Sequence, residues 1–556
     1  MYGSMMQRLL RIMVAVGPFL LIAAVYLFAA TREIELPGIY MDAVNPDYLV
    51  TRWLNPHAEY MPSWIVPGND ILGHYPLLVG LHHGSLQLWL GAPFFWIFGM
   101  SVIGLRLTHA MFALAVLASW YALQRHVGLS RTWAVAFGIV LAIDPSFVYA
   151  FRDQSYITMA PVALLMLAVI ALFRARASSG RAGTLWLAGC GLLSGLASFG
   201  YFIYAFFFPA MLIAAWLLPV NATDELSRRA RVLVLGIGIA VGFSPFAMGF
   251  ALMAHDLGSV KDAIHYYLTV QPQLGIADAS VAFGARIVHQ EEMLRAVIGN
   301  IWHHVMMFKS WTPTPGAAYK YFLLIGLPIL LWLIAEWRRC ATPLLRIVLG
   351  LQLSFLVGAW FFGMRINGHH YMAFVPLSYA GLAAAMSIFF VTPGRWRRLA
   401  GFAAAAVLVV LTAINIVGNT REIEELRRTG GVGNFSDAIN QLGADLFAAD
   451  HNRLLVLPDW GLYMPTAFLT QASMEIVAHE NYELAQRRLC EGKDVVVALV
   501  TGDRSERFRQ WQTRLHWTAP QVKAYRQRDG EVVFEIAIFS GNDAGGRCPS
   551  LTSDPP

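Results

Sequence analysis

Charge is scarce in this chain. Lys, Arg, Asp and Glu make up 14% of its 556 residues, against 57% hydrophobic residues. Soluble domains carry about a quarter charged residues, so that class is excluded. Cysteine is scarce as well. Four residues are too few for a disulfide scaffold, and no Cys/His spacing resembles a structural zinc site. Cys490 and Cys548 share the tail. They form a disulfide if that tail lies in an oxidising compartment, or else remain two free thiols. A nucleic-acid signature is missing too. Many of the arginines behind the net charge of +6 sit in short loops between apolar runs, where they act as topology signals.

Long apolar runs are abundant. Eleven recur, at roughly 13–30, 105–123, 132–149, 156–173, 184–200, 202–219, 232–253, 321–336, 344–362, 371–391 and 399–418. Runs of about 20 apolar residues read as spanning helices. The first follows Arg8 and Arg11, is too long for a signal-peptide core and lacks a small-residue cleavage pattern, so it reads as a retained helix. The run 84–100 is ambiguous, because it is apolar but carries Pro93 and several glycines. Loop charge decides it. If 84–100 stays on the outer surface, the N-terminus shares a side with five basic loops, at Arg125/Arg131, Arg174/Arg176/Arg181, Arg228/Arg229/Arg231, Arg338/Arg339/Arg346 and Arg395/Arg397/Arg398. The segment is therefore expected to be interfacial or re-entrant.

The expected architecture is an all-α polytopic membrane protein of the inner (plasma) membrane. It has about eleven transmembrane helices and a long first outer loop carrying juxtamembrane helices. Residues 1–418 form the membrane domain. Residues 419–556 form a small extracytoplasmic α/β domain, marked by strand-like runs at 453–458, 494–500 and 531–539, with a frayed end from about Gly541.

The polar residues gather at outer helix ends, and the spans contain almost no ionisable groups. In GIYMDAVNPDYLVTRW, Asp42 and Asp47 lie near the membrane edge. A carboxylate there can act as a general base. Asp47, after Asn45-Pro46, reads more simply as a helix start. Arg152-Asp153 either caps the next helix or faces Asp42 across a cavity. The loop FFGMRINGHHYMAF holds Arg365, His369, His370 and Tyr371; it suits phosphate recognition, or else anchors helices at the interface. His83 follows His82 before the run 84–100, and adjacent histidines do not generally converge on one ion. The loop 254–320 carries His303, His304, Lys309 and Trp311, with no diagnostic spacing. An interfacial belt is its simplest reading.

In this order, the motifs resemble glycosyltransferase superfamily C (GT-C), and more narrowly the bacterial protein O-mannosyltransferase and aminoarabinose transferase-like members (glycosyltransferase family 39). Asp42 occupies the position of the family's first acid, though the usual Asp-Glu pair is here Asp42-Ala43. The stretch 81–117 is similar to the family's amphipathic segment; Phe98-Gly99 and Arg106-Leu107 match, while His83-Gly84-Ser85-Leu86 replaces Pro-Pro-Leu. Residues 144–160 resemble the second acidic site, with Asp153 in its place. GLLSGLASFGYFIYAFFFP (191–209) and HHYMAFVPL (369–377) resemble later motifs. The resemblance covers about residues 13–390. It implies inverting transfer of a sugar from a polyprenyl-phosphate-linked donor to an acceptor hydroxyl on a protein, lipid or glycan. Asp42 and Asp153 would be catalytic, with Arg365, His369, His370 and Tyr371 on the donor phosphate. Asp47, Arg152, His83 and Lys309 are additional candidates. A lipid-linked monophosphate needs no metal to hold a diphosphate, so no cofactor is expected. Membrane lipids are the other partner; nucleic acid is not one. The alternatives are a lipid or sugar transporter or flippase, and a non-catalytic envelope assembly factor on the same fold. Coupled transporters place ionisable groups at mid-membrane, which disfavours the first alternative.

Overall fold

The computed structural model describes residues 2–58, 66, 68, 70–71, 75–154, 159–217, 226–270, 281–390, 395–449, 451–459, 461–500, 502–543 and 548. The expected frayed end falls mostly outside them. The protein is a multi-pass membrane protein. Among the described residues, eight helices are long and apolar enough to cross a membrane, and a bent pair makes nine. The principal helices are α1 (Tyr2–Thr31), α2 (Leu86–Phe98), α3 (Val102–His126), α4 (Arg131–Ala142), α5 (Pro145–Val148), α6 (Met159–Ala177), α7 (Gly180–Gly200), α8 (Phe208–Leu217), α9 (Arg228–Asp256), α10 (Val260–Val270), α11 (Phe283–Ile298), α12 (Ile301–Phe308), α13 (Ala317–Trp337), α14 (Pro343–Phe362), α15 (Phe374–Phe390) and α16 (Arg395–Thr429).

Three of the eleven expected runs lie outside these eight helices. The run 132–149 is two pieces, bent by 66°. Pro145 opens the second piece, where its missing N–H is harmless, and the Asp144 carboxylate accepts from the Ser146 N–H at 2.8 Å. The run 13–30 lies within α1, which is 30 residues long, and the described part of 202–219 is a shorter apolar helix. The second opens with a tight turn, Phe202–Phe207, after the extended residue Tyr201.

Helix α2 has 13 residues. At 1.5 Å per residue it is about 20 Å long, too short for a core about 30 Å thick. Its first turn binds the first loop, through Gln87 donating to Asp47 at 3.1 Å. Its last turn packs Phe95 against Phe468 of the tail, with ring centroids 5.9 Å apart. Both ends thus lie on the face that carries the first loop and the tail. Helices α7 and α9 touch backbone to backbone. A Cβ at Gly195 would sit 2.2 Å from the Ile239 carbonyl oxygen, and one at Gly242 would sit 2.2 Å from that of Leu192.

Helix α16 continues to Thr429, beyond the end of its apolar run at about 418. Two short hairpins lie in the first loop, β1 (Asp70–Ile71) with β2 (Tyr75–Pro76), and β3 (Leu78–Gly80) with β4 (His83–Gly84). The tail holds a five-stranded sheet in the order β6-β5-β7-β9-β8, from β5 (Arg453–Val456), β6 (Glu475–Val477), β7 (Asp494–Leu499), β8 (Gln521–Arg526) and β9 (Val532–Phe539). Strand β5 runs parallel to β6 and β7; β9 runs antiparallel to β7 and β8. Alternation along β5 sends Leu454 and Val456 to one face, with Leu489, Phe508 and Trp511. Leu455 and Leu457 go to the other, whose core also takes in Ile39, Val44, Tyr48 and Leu49 of the first loop. One hydrophobic core therefore joins tail and first loop. Cys490 and Cys548 are disulfide-bonded.

Candidate active site at the first-loop face

The strap leading to Asp42 is held by two buried arginines. Arg152 donates through Nε to the Leu36 carbonyl (2.5 Å) and through Nη1 to that of Arg32 (2.7 Å). Arg106 donates to the Pro37 carbonyl at 3.2 Å. Tyr40 packs on Phe435 of the tail, with centroids 5.1 Å apart. Asp42 then sits half-buried in the short helix Met41–Val44, which packs against the turn Ala150–Gln154 that carries Asp153. Asp42 and Asp153 thus come from packed segments. Arg152, a sequence candidate, spends two nitrogens on the strap.

Asp47 does start a helical turn, Asp47–Val50, but its carboxylate is used elsewhere. It is fully buried, 2.7 Å from His109 Nε2 of α3, and it accepts from Gln87. Its carboxylate sits where α2 and α3 meet the first loop, so burial leaves it needing side-chain partners.

Asp153 is also fully buried, with its Oδ1 2.9 Å from His303 Nδ1. Helix α12 carries this histidine. Its neighbour His304 turns the other way, 3.1 Å from Glu422 of α16, and accepts from Arg421 at 3.1 Å. The two histidines therefore clasp buried carboxylates on two elements, in place of the expected interfacial belt. Trp302 is buried with them, while Trp311 stays exposed.

A nest of rings closes the same face. Tyr201, at the break between α7 and the turn that opens α8, has its ring centroid 5.7 Å from those of both His82 and His83 and 5.4 Å from that of His370. The hairpin holds the break: the Phe202 N–H donates to the His82 carbonyl at 3.0 Å. His370 Nε2 is 2.6 Å from the Tyr201 hydroxyl, and His370 Nδ1 accepts from the Asn367 N–H at 2.9 Å. Both ring nitrogens of His370 are thus engaged. His369 lies against His370 (3.9 Å) and Trp302 (6.3 Å). Desolvation pushes His82 down to about 4, and lowers His83 with help from the His82 charge. Burial first, and then the charge of Asp42, push the Tyr201 phenol up.

The remaining candidates lie around this nest. Arg365 is half-buried at the end of the turn Gly363–Arg365, in the same loop as His369. Tyr371 is buried, and its hydroxyl donates to Gln290, which in turn donates to the Gly363 carbonyl. It holds the loop onto α11. Lys309 lies 5.6 Å from the centre of the Phe435 ring. Among the described residues, no three His, Cys, Asp or Glu side chains are grouped so as to hold a metal ion.

No protein-family model and no curated protein matches the chain. Solved structures do. ArnT from Cupriavidus metallidurans, bound to undecaprenyl phosphate, superposes with a TM-score of 0.51 at 12% identity, covering 98% of this chain and 100% of its own. The chain shares the fold of that structure. The archaeal oligosaccharyltransferase AglB from Archaeoglobus fulgidus follows at a TM-score of 0.44, with 13% identity over 96% of this chain and 75% of its own. The arabinofuranosyltransferase AftD from Mycobacteria gives 0.41, with 14% identity over 94% of this chain and 40% of its own.

Two further features of the chain escape sequence reading. An apolar groove of about 830 Å³ lies between α6, α8 and α14, from Arg176 and Arg346 at one end to Phe206 and Gly358 at the other. Phe206 is in the tight turn that begins next to Tyr201. The second feature is an ion pair inside the bundle. Lys320 Nζ is 2.7 Å from Asp144, and both side chains are fully buried. Tyr379 donates to Asp144 (2.8 Å), and Lys320 to Asn300 (2.6 Å). This corrects the expectation that the spans hold almost no ionisable groups. An acid before a proline in an apolar run, as in Ile143-Asp144-Pro145, is the signal that marks it. No sequence motif marks His303, and the stretch 191–209 does not single out Tyr201.

Proposed function

We propose that the protein is an inverting glycosyltransferase, moving a sugar from a polyprenyl-phosphate-linked donor to an acceptor hydroxyl on a protein, lipid or glycan at the outer face of the inner membrane. The carrying observation is the gathering of Asp42, Asp153–His303, Tyr201 and the His369–His370 pair at one end of the bundle, next to the turn whose Phe206 lines an apolar groove. The undecaprenyl phosphate bound to ArnT supports a lipid monophosphate as the donor class.

In this reading the prenyl tail lies in the groove and the sugar at the ring nest. Asp42 takes the proton of the acceptor hydroxyl as its oxygen attacks the anomeric carbon. The bond to phosphate breaks on the opposite side, and Arg365 balances the departing charge, with His369 beside it as a hydrogen-bond donor. Asp153, oriented by His303, positions the acceptor. The disulfide in the tail supports an oxidising, extracytoplasmic side for residues 419–556. The Lys320–Asp144 pair is saturated by Tyr379, Asn300 and Ser146, so it reads as a lock on the bent span more readily than as a transport site. A transfer assay in membranes, with a panel of radiolabelled polyprenyl-phosphate sugars, tests the proposal. Labelled product that depends on the protein supports it, and no transfer from any donor overturns it.

A further inference from the structure

Tyr201 lies in the stretch 191–209 without being singled out there, yet its ring is the one that His82, His83 and His370 surround. The direction of its own hydrogen bond follows from His370. The Asn367 backbone N–H points at His370 Nδ1 from 2.9 Å, so that nitrogen cannot carry a proton. The Asn367 carbonyl, 3.1 Å from the same nitrogen, already accepts the His370 N–H at 3.0 Å. The neutral ring must then hold its proton on Nε2, the atom 2.6 Å from the Tyr201 oxygen. His370 therefore donates and Tyr201 accepts. The phenol proton is left to point elsewhere.

We propose that this phenol, and not His370, is the hydrogen-bond donor that contacts the donor lipid's phosphate, with His370 as the positioning residue behind it. The proposal rests on the glycosyltransferase reading for the identity of that lipid. Three observations agree with it. His370 has no ring nitrogen left for a ligand. The phenol lies at the head of the turn whose Phe206 lines the apolar groove, where a headgroup follows from a tail in the groove. The phenol also stays protonated, because its burial and the charge of Asp42 both oppose a phenolate. A donor polarised by a second donor strengthens as negative charge develops on the departing oxygen.

The test is binding of undecaprenyl phosphate to the full-length protein in detergent, with undecaprenol as the control. Tyr201→Phe keeps the ring packing and removes only the donor. It is expected to weaken undecaprenyl phosphate roughly tenfold to a hundredfold, the range for a hydrogen bond to a charged group. Undecaprenol binding is expected to stay unchanged. His370→Gln is expected to weaken phosphate binding less, and Tyr201→Phe/His370→Gln to bind as Tyr201→Phe alone does, because His370 acts only through the phenol. Unchanged binding in a folded Tyr201→Phe protein, shown by its melting temperature, overturns the proposal. So do losses that multiply in the double variant, which put His370 itself on the phosphate. Should Tyr201→Phe misfold, His370→Gln decides, and wild-type binding there overturns the pairing. A wild-type protein that does not prefer undecaprenyl phosphate over undecaprenol refutes the lipid-phosphate reading itself, which is a different failure.

Discussion

His303 and Asp153 form a buried pair across 150 residues of sequence, with Nδ1 2.9 Å from Oδ1. Replacing His303 by Ala leaves the carboxylate buried with one fewer partner. The loss is expected to be about 1–3 kcal/mol of stability, together with a fall in transfer rate. His303→Asn, which can still donate, should recover most of the stability. Thermal melting in detergent and a transfer assay on the same preparations check both. Equal melting of His303→Ala and wild type would show that the pair is not structural.

Asp42→Asn should abolish transfer with normal folding, because loss of a general base typically costs two to four orders of magnitude. Asp47 behaves differently. Its carboxylate is locked to His109 and Gln87, so Asp47→Ala should cost about 1–3 kcal/mol of stability, the range for leaving buried partners unsatisfied. Asp47→Asn should be milder. Full activity in Asp42→Asn would remove the base from this loop.

Arg365→Ala should weaken donor use with little change in melting temperature. Loss of one charge-assisted phosphate contact is worth about 1.5–3 kcal/mol. A donor titration of the transfer rate reads this directly. An unchanged donor dependence would move the role elsewhere, with Lys309 the next candidate.

Lys320→Met should strand the Asp144 carboxylate inside the bundle. Expression and melting temperature should drop, by about 3–5 kcal/mol in stability. Adding Asp144→Asn should restore part of the loss, because the uncompensated charge is then gone. A Lys320→Met protein as stable as wild type would show that Asp144 is neutral in place.

The tail should be extracytoplasmic. An alkaline phosphatase fused after residue 430 is expected to be active, and a fluorescent protein at the same place dark. The reverse pattern would put the first loop and its acids on the cytoplasmic side, since one core joins them to the tail.

The sequence by itself determined the apolar runs, the basic loops between them and the polar tail with its strand pattern. It also marked Asp42, Asp153, Arg365 and the His369–His370 pair as residues worth attention. These are local properties: hydropathy over about 20 residues, charge beside a helix end, and alternation along a strand. Only the tertiary structure decided what those side chains touch. Asp47 became a buried partner of His109, Arg152 a clamp on the strap, and Tyr371 a tie to α11. His303 and Lys320 emerged from segments that carry no motif, and Tyr201 from a stretch in which nothing singled it out. The reason is physical. A buried polar group must find its hydrogen-bond partner wherever packing brings one, and in this chain the partners are as far apart in sequence as Asp153 from His303 and Tyr201 from His370.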